Sequence, residues 1–119
     1  MREERGAVSG DVRVFEPFTL WGSIGGDVRV IQGGKFYVRG AIYGNLLVEY
    51  GGRVHIFGNV TGNLTVERGA KVIHSGVVGG DVLNDGGRLY IESMAKILGT
   101  LNTIDGQTQD DRPGPSTST

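Results

Sequence analysis

Gly40-Ala-Ile-Tyr-Gly-Asn-Leu-Leu-Val-Glu-Tyr-Gly-Gly-Arg-Val-His-Ile-Phe57 runs without a break into Gly58-Asn-Val-Thr-Gly-Asn-Leu-Thr-Val-Glu-Arg-Gly-Ala-Lys-Val-Ile-His-Ser75. The two stretches superimpose without gaps, glycine on glycine and aliphatic on aliphatic, at a period of eighteen residues. The same unit occupies Gly22–Arg39. It recurs at Gly76–Ser93 with about one residue lost before Gly86-Gly87, and at Gly6–Trp21 with Phe15-Glu16-Pro17 shortening one turn. Each copy reads G-x-φ-x-G-[D/N]-φ-x-φ, a glycine turn, then φ-x-φ. A fixed period of this length marks a repeat architecture, and it is sought before secondary structure because it determines the whole fold.

Within each copy the apolar residues alternate with period two, which is the strand periodicity and not the helical one. One short strand carries a single inward residue: Val8, Ile24, Ile42, Val60 and Val78. A second carries Val12/Val14, Val28/Val30, Leu46/Val48, Leu64/Val66 and Val82 with Asn84. The third carries Phe18/Leu20, Phe36/Val38, Val54/Ile56, Val72 with His74, and Leu89/Ile91. No single copy can bury such a face, whereas stacked copies lay like residue on like residue and complete one another's hydrogen bonds. The spacing predicts an all-β, single-stranded, three-sided β-solenoid of five to six coils with glycine corners. Glu92–Leu98 has helical potential, but its context favours a sixth, degenerate winding that ends near Ile104. The expected boundaries are a charged tail at 1–5, the solenoid at 6–104 and a disordered polar tail at 105–119, where Pro113, Pro115 and the Ser/Thr end do not favour packing.

Composition narrows the function. The 119 residues include 22 glycines, three prolines and no cysteine, with 12 basic against 13 acidic side chains and a formal charge of −1. Glycine far above the usual ~7% without a Gly-x-x triplet is not collagen. Without cysteine there is no disulfide framework and no thiolate site. The charge balance argues against nucleic acid as a partner. No apolar run approaches the roughly 18 residues of a membrane span, and Met1–Gly6 lacks the hydrophobic region of a secretory signal.

The string Gly58–Val72, together with Gly80-Asp-Val82, Leu89-Tyr-Ile-Glu92, Ala95 and Gly99, resembles the repeat and closing signature of the bactofilins, the bacterial polymer-forming cytoskeletal proteins. The resemblance covers about Gly6–Ile104. It implies a β-helix of about six windings that assembles end to end, without nucleotide and without filament polarity, into a scaffold for cell shape and cell-wall enzymes. It also implies a cytoplasmic location, with peripheral association at the inner membrane left open. Ile97 stands where the family usually has an aromatic residue that supports end-to-end packing, and Met1–Arg5 does not match the hydrophobic leading segment of many members. Physics reaches self-association separately, because a solenoid has two open ends whose unpaired N–H and C=O groups invite strand addition. The expected contact residues are Val8, Val12 and Val14 at one end and Leu89, Ile91, Ile97 and Leu101 at the other.

Hexapeptide acyltransferases share the period of eighteen, but they need a histidine at a cleft between subunits, and their hexads prefer a small residue after the aliphatic one. Here Thr19, Ile31, Tyr37, Tyr43, Glu49, His55 and Glu67 stand there. A zinc carbonic anhydrase needs three histidines, and only His55 and His74 exist, at non-equivalent positions. His74 takes an inward slot that is Val38 or Ile56 in neighbouring coils, so it reads as a hydrogen-bonded corner residue. Asn84 is expected to close the turn Asn84-Asp85-Gly86-Gly87. The ladder Asp11, Asp27, Asn45, Asn63 and Asp81 lacks calcium-repeat spacing and reads as corner hydrogen bonding. No catalytic residue, metal or cofactor is assigned.

One surface carries a docking expectation. On the third strand the outward residues stack as Lys35, Arg53, Lys71 and Arg88, beside Tyr37, His55 and Tyr90, then Trp21, Arg39 and Phe57. That face is expected to be basic and aromatic, suited to anionic lipid headgroups at a membrane surface, a wall polymer or a protein partner, and the resemblance to the bactofilins implies a cell-wall enzyme as that partner. The second strand is expected to be acidic through Asp11, Asp27, Asp81, Glu49 and Glu67. The competing reading is a monomeric or trimeric solenoid binding module, and an acyltransferase stands third.

Overall fold

The computed structural model describes residues 2–113, a rod 46 Å long and 25 by 20 Å across. The first winding is β1 (Arg2–Glu4), β2 (Ala7–Val8) and β3 (Val12–Val14), and the second is β4 (Pro17–Leu20), β5 (Ser23–Ile24) and β6 (Val28–Val30). β7 (Lys35–Val38), β8 (Ala41–Ile42) and β9 (Leu46–Val48) make the third, with β10 (Arg53–Ile56), β11 (Asn59–Val60) and β12 (Leu64–Glu67) the fourth. β13 (Lys71–His74) and β14 (Val77–Val78) lead into β15 (Val82–Ile91), and β16 (Lys96–Ile97) with β17 (Leu101–Asp110) closes the rod. The chain is an all-β solenoid of about six turns with about 18 residues per turn, as the period dictates.

Every pairing is parallel and joins one coil to the next. Side one is the narrow six-stranded sheet β2-β5-β8-β11-β14-β16. Side two (β3, β6, β9 and β12) and side three (β1, β4, β7, β10 and β13) merge into one 11-stranded sheet because β15 continues around the corner between them and β17 follows it. The register is that of the repeat. Val54 lies between Phe36 and Val72, and Ile56 between Val38 and His74. The inward rows are therefore continuous, with Leu20, Ile24, Val30, Ile42, Leu64 and Val66 wholly buried. The widest side chains, Phe18 and Phe36, meet at 5.3 Å between ring centroids near one end.

The corners account for the glycines. A Cβ at Gly40 would overlap the Gly22 carbonyl oxygen one coil below, so the chain turns only where no side chain exists. A Cβ at Gly44 would overlap Asp27 Oδ1, which belongs to a ladder running the length of the rod. The Asn45 N–H donates to Asp27 Oδ1 at 2.7 Å, Asn63 N–H to Asn45 Oδ1 at 2.8 Å, and Asp81 N–H to Asn63 Oδ1 at 2.8 Å. Asp11 begins the series and Thr100 N–H, donating to Asp81 Oδ1, ends it. The oxygen facing each corner is thus spent on a backbone amide, and Asp and Asn are equivalent in that task.

Both expected boundaries move outward. Arg2–Glu4, assigned to a tail, pairs with Phe18–Leu20, with the Arg2 guanidinium 4.6 Å over the Phe18 ring. Residues 105–110, assigned to the other tail, belong to β17 and lie in parallel on β15. Terminal windings have solvent on one side, so polar residues are tolerated in inward slots there: Arg2 and Glu4 continue the Phe18 and Leu20 rows, and Thr108 and Asp110 the Leu89 and Ile91 rows. Met1 and residues 114–119 lie outside the described residues.

The ladder makes one prediction. Asp27→Ala removes the acceptor of the exposed Asn45 amide and should cost about 0.5–1.5 kcal/mol in urea unfolding, the net contribution of one hydrogen bond. Asp27→Asn should fall within a few tenths of wild type, since Asn45 and Asn63 already do the same work.

Candidate functional site

Side three places the expected docking residues in register. Lys35, Arg53, Lys71 and Arg88 form one outward row, and Tyr37, His55, Ile73 and Tyr90 the next. Among the described residues none of the four cations has a carboxylate within salt-bridge distance; the ion pairs are Arg5–Glu3, Arg29–Glu49 and Arg112–Asp110. Like charges on directly neighbouring strands repel, so the row persists against its own electrostatics. A shallow depression of about 160 Å³ lies over Tyr37, His55 and Ile73, edged by Lys35, Arg53 and Lys71.

The third row is more ordered than its sequence suggests. Arg39 lies between two aromatic faces, 5.2 Å from the Trp21 ring and 4.3 Å from Phe57, and Arg5 covers Trp21 from the other side at 5.0 Å. His55 stacks on Phe57 at 3.8 Å. The aromatics are therefore anchored to cations along the row. Trp21 Nε1–H also donates to Glu3 Oε1 at 3.2 Å. Arg5 and Glu3 are site residues that sequence reasoning placed in a tail. Their signal was positional: Arg5 stands one shortened coil, sixteen residues, before Trp21.

His55 also heads a relay that the sequence did not announce. Its Nε2 lies 3.0 Å from Ser75 Oγ, and the Ser75 hydroxyl donates to Glu92 Oε1. Since Ser75 gives its proton to the carboxylate, it accepts from His55 Nε2–H. Partial burial holds the His55 pKa below its usual value, opposed by the nearby Glu92 charge. The order histidine–serine–glutamate does not make serine a nucleophile, because nucleophile activation requires the base beside the serine to accept its proton and a cleft for substrate. This relay instead lies on an open sheet face. The Tyr90 hydroxyl donates to Asp111 Oδ2 at 2.7 Å, which raises the phenol pKa.

Side two corrects an expectation. Its central outward row is Arg13, Arg29, Leu47, Thr65 and Leu83, which is not acidic. Asp11, Asp27 and Asp81 stand at one corner in the ladder, while Glu49, Glu67 and Asp85 stand at the other. Glu49 is partly spent on Arg29, at 2.6 Å.

The ends also differ from expectation. Leu89 and Ile91 are covered by β17, and Val14 is buried within the first winding. The half-covered apolar residues of the terminal coils are Val8 and Val12 at one end and Ile97 and Leu101 at the other. A groove of about 630 Å³ beside Ile97 is lined by Met94, Lys96, Leu98, Asp110 and Arg112.

His55 and His74 occupy opposite faces of the same wall, so they cannot share an ion. Among the described residues no group of three or more His, Cys, Asp or Glu side chains is placed to hold a metal. His74 is fully buried, with Nε2–H donating to the Lys96 carbonyl at 3.0 Å and Nδ1 without a partner. Asn84 closes its turn as expected, accepting from Gly87 N–H at 2.9 Å and donating to Gly87 O at 3.2 Å. It reaches beyond the turn to Gln107 O and Thr108 Oγ1, both at 3.0 Å, tying β17 to the rod.

Compared with protein-family models, curated proteins and solved structures, the chain matches none. Among the described residues no helix is long and apolar enough to cross a membrane.

Burial lowers the His74 pKa below 6.5, with the Lys96 bond raising it and the Arg112 charge lowering it further. The unfolded chain then binds the proton more readily, so stability should fall as pH drops below about 6.5. His74→Val, the residue of the Val38 slot, should flatten that part of the stability–pH curve; parallel curves for the two proteins would refute the assignment.

Proposed function

We propose that this protein is a non-enzymatic scaffold that assembles through its terminal coils and recruits partners on side three. One observation carries the reading. Each end of the rod leaves a full winding of strands unpaired on one edge, and half-covered Val8 and Val12, or Ile97 and Leu101, occupy slots that interior coils bury completely. A second copy supplies the missing rung, with backbone hydrogen bonds and apolar burial together, which is β-augmentation between identical partners. The resemblance of Gly58–Val72 and the closing signature to the bactofilins supports the same reading. It adds filament formation without nucleotide in the cytoplasm, with cell shape as the process served. On side three, the Trp21–Arg39–Phe57 row with Tyr37 and Tyr90 presents rigid aromatics for a membrane surface or a cell-wall enzyme.

The second reading, a monomeric binding module, is favoured by the polar residues in terminal slots. Arg2 and Glu4 at one end, and Thr103, Thr108 and Asp110 at the other, resemble the polar outer faces that cap solenoids. Asp110 is further held by Arg112 at 2.8 Å, which lowers the carboxyl pKa.

Electron microscopy and sedimentation separate the two. The scaffold reading expects nucleotide-independent filaments, and Val8→Arg or Ile97→Arg should each shorten or abolish them with an unchanged β circular dichroism spectrum. A single 12.7 kDa species at all concentrations supports the binding module and overturns the scaffold.

A further inference from the structure

The corner between sides two and three repeats as a tight turn. Gly52 N–H donates to Glu49 O at 2.9 Å and Ala70 N–H to Glu67 O at 3.0 Å, so these two turns begin with an outward acid and are followed by an outward base, whereas the equivalent turn one coil earlier begins with Ile31 and is followed by Lys35. Coil after coil, Glu49, Glu67 and Asp85 line one flank of this edge and Arg53, Lys71 and Arg88 the other. Both ladders have the rung spacing of about 4.8 Å. Among the described residues no salt bridge joins the two ladders across the edge.

We propose that this edge is a lateral zipper to a second copy of the chain, with the two rods parallel. A linear polyanion would satisfy the basic ladder but meet the acidic ladder beside it. The occupant that matches both signs at the same repeat is the same edge. Orientation follows from geometry. Viewed from outside with the rod upright, bases lie on one hand and acids on the other. A facing copy with the same end up sets its acids opposite these bases and its bases opposite these acids, giving four ion pairs from Glu67, Asp85, Lys71 and Arg88 about a two-fold axis along the rods, while Glu49 is shared between Arg29 of its own chain and the facing Arg53. Inverting the copy exchanges its flanks and sets base against base. Charge therefore selects parallel pairing and rejects antiparallel pairing. The contact is weak for one pair of subunits and accumulates when rods are long. It is independent of the end-to-end contact proposed above.

The chain has no cysteine, so single cysteines report orientation. The turn tips Gln32, Tyr50 and Arg68 are exposed and stand on successive coils. In a Val8→Arg background, which removes the end contact, Arg68→Cys should form a disulfide dimer at low salt. The yield should fall several-fold at 0.5 M salt, where screening is short-ranged. Adding Arg53→Glu and Lys71→Glu should abolish it, and adding Glu49→Lys and Glu67→Lys to those should restore it. No disulfide at low salt, or one formed only when Gln32→Cys and Arg68→Cys proteins are mixed, overturns the proposal. If Val8→Arg leaves filaments intact, the terminal-coil reading fails while the zipper still stands or falls on the Arg68→Cys result.

Discussion

The structure depends on the hydrogen bonding of each coil to the next at a single register. A coil has almost no contacts within itself that could hold its shape; its amides and carbonyls are satisfied by the coils above and below. Register then dictates chemistry, since a slip by one residue would turn every aliphatic row outward. The corner ladder is what fixes it. Each Asp or Asn side chain reaches forward to one particular amide, and the glycine beside it leaves no room for an alternative fit.

The three sides answer to different demands. Side one has one inward residue per coil and, from Gly6 to Gly80, no charged residue in any of its segments, so it is narrow and electrically quiet. Sides two and three hold two inward residues per coil and carry the charge. The result is an unequal triangle in which the charged groups concentrate along edges and on one broad face, where cations and aromatic rings order one another.

Much of this was legible in the sequence. Glycine-to-glycine spacing gave the coil length, and alternation gave the inward rows down to His74 and Asn84, because interior slots are enclosed and their occupants are constrained. The terminal windings were not legible, for the complementary reason. A slot open to water on one side accepts Arg2, Glu4, Thr108 or Asp110, and a reading keyed to apolar alternation stops there. Leu89 and Ile91 are not terminal because residues 105–110 of β17, which the polar composition assigns to a tail, cover them. The surface was partly legible: the Lys35 row and the aromatic rows follow from the repeat. The Ser75–Glu92 relay depends on side-chain rotamers, which the pattern does not encode, and the Arg5 stack appears only when the sixteen-residue spacing of the first coil is carried back beyond Gly6. The side-two face is not acidic because its acids stand at the two corners while Arg13, Arg29 and Leu47 hold the central outward row.

The corner ladder is also directional. The acceptor oxygen always belongs to the earlier coil and the amide to the later one, from Asp11 serving Asp27 through Asp81 serving Thr100. During synthesis the N-terminal coil leaves the ribosome first, so the hydrogen-bond acceptors that position a new coil are in place before that coil exists. Such a rod can grow vectorially, each finished winding acting as the template on which the nascent chain is laid down.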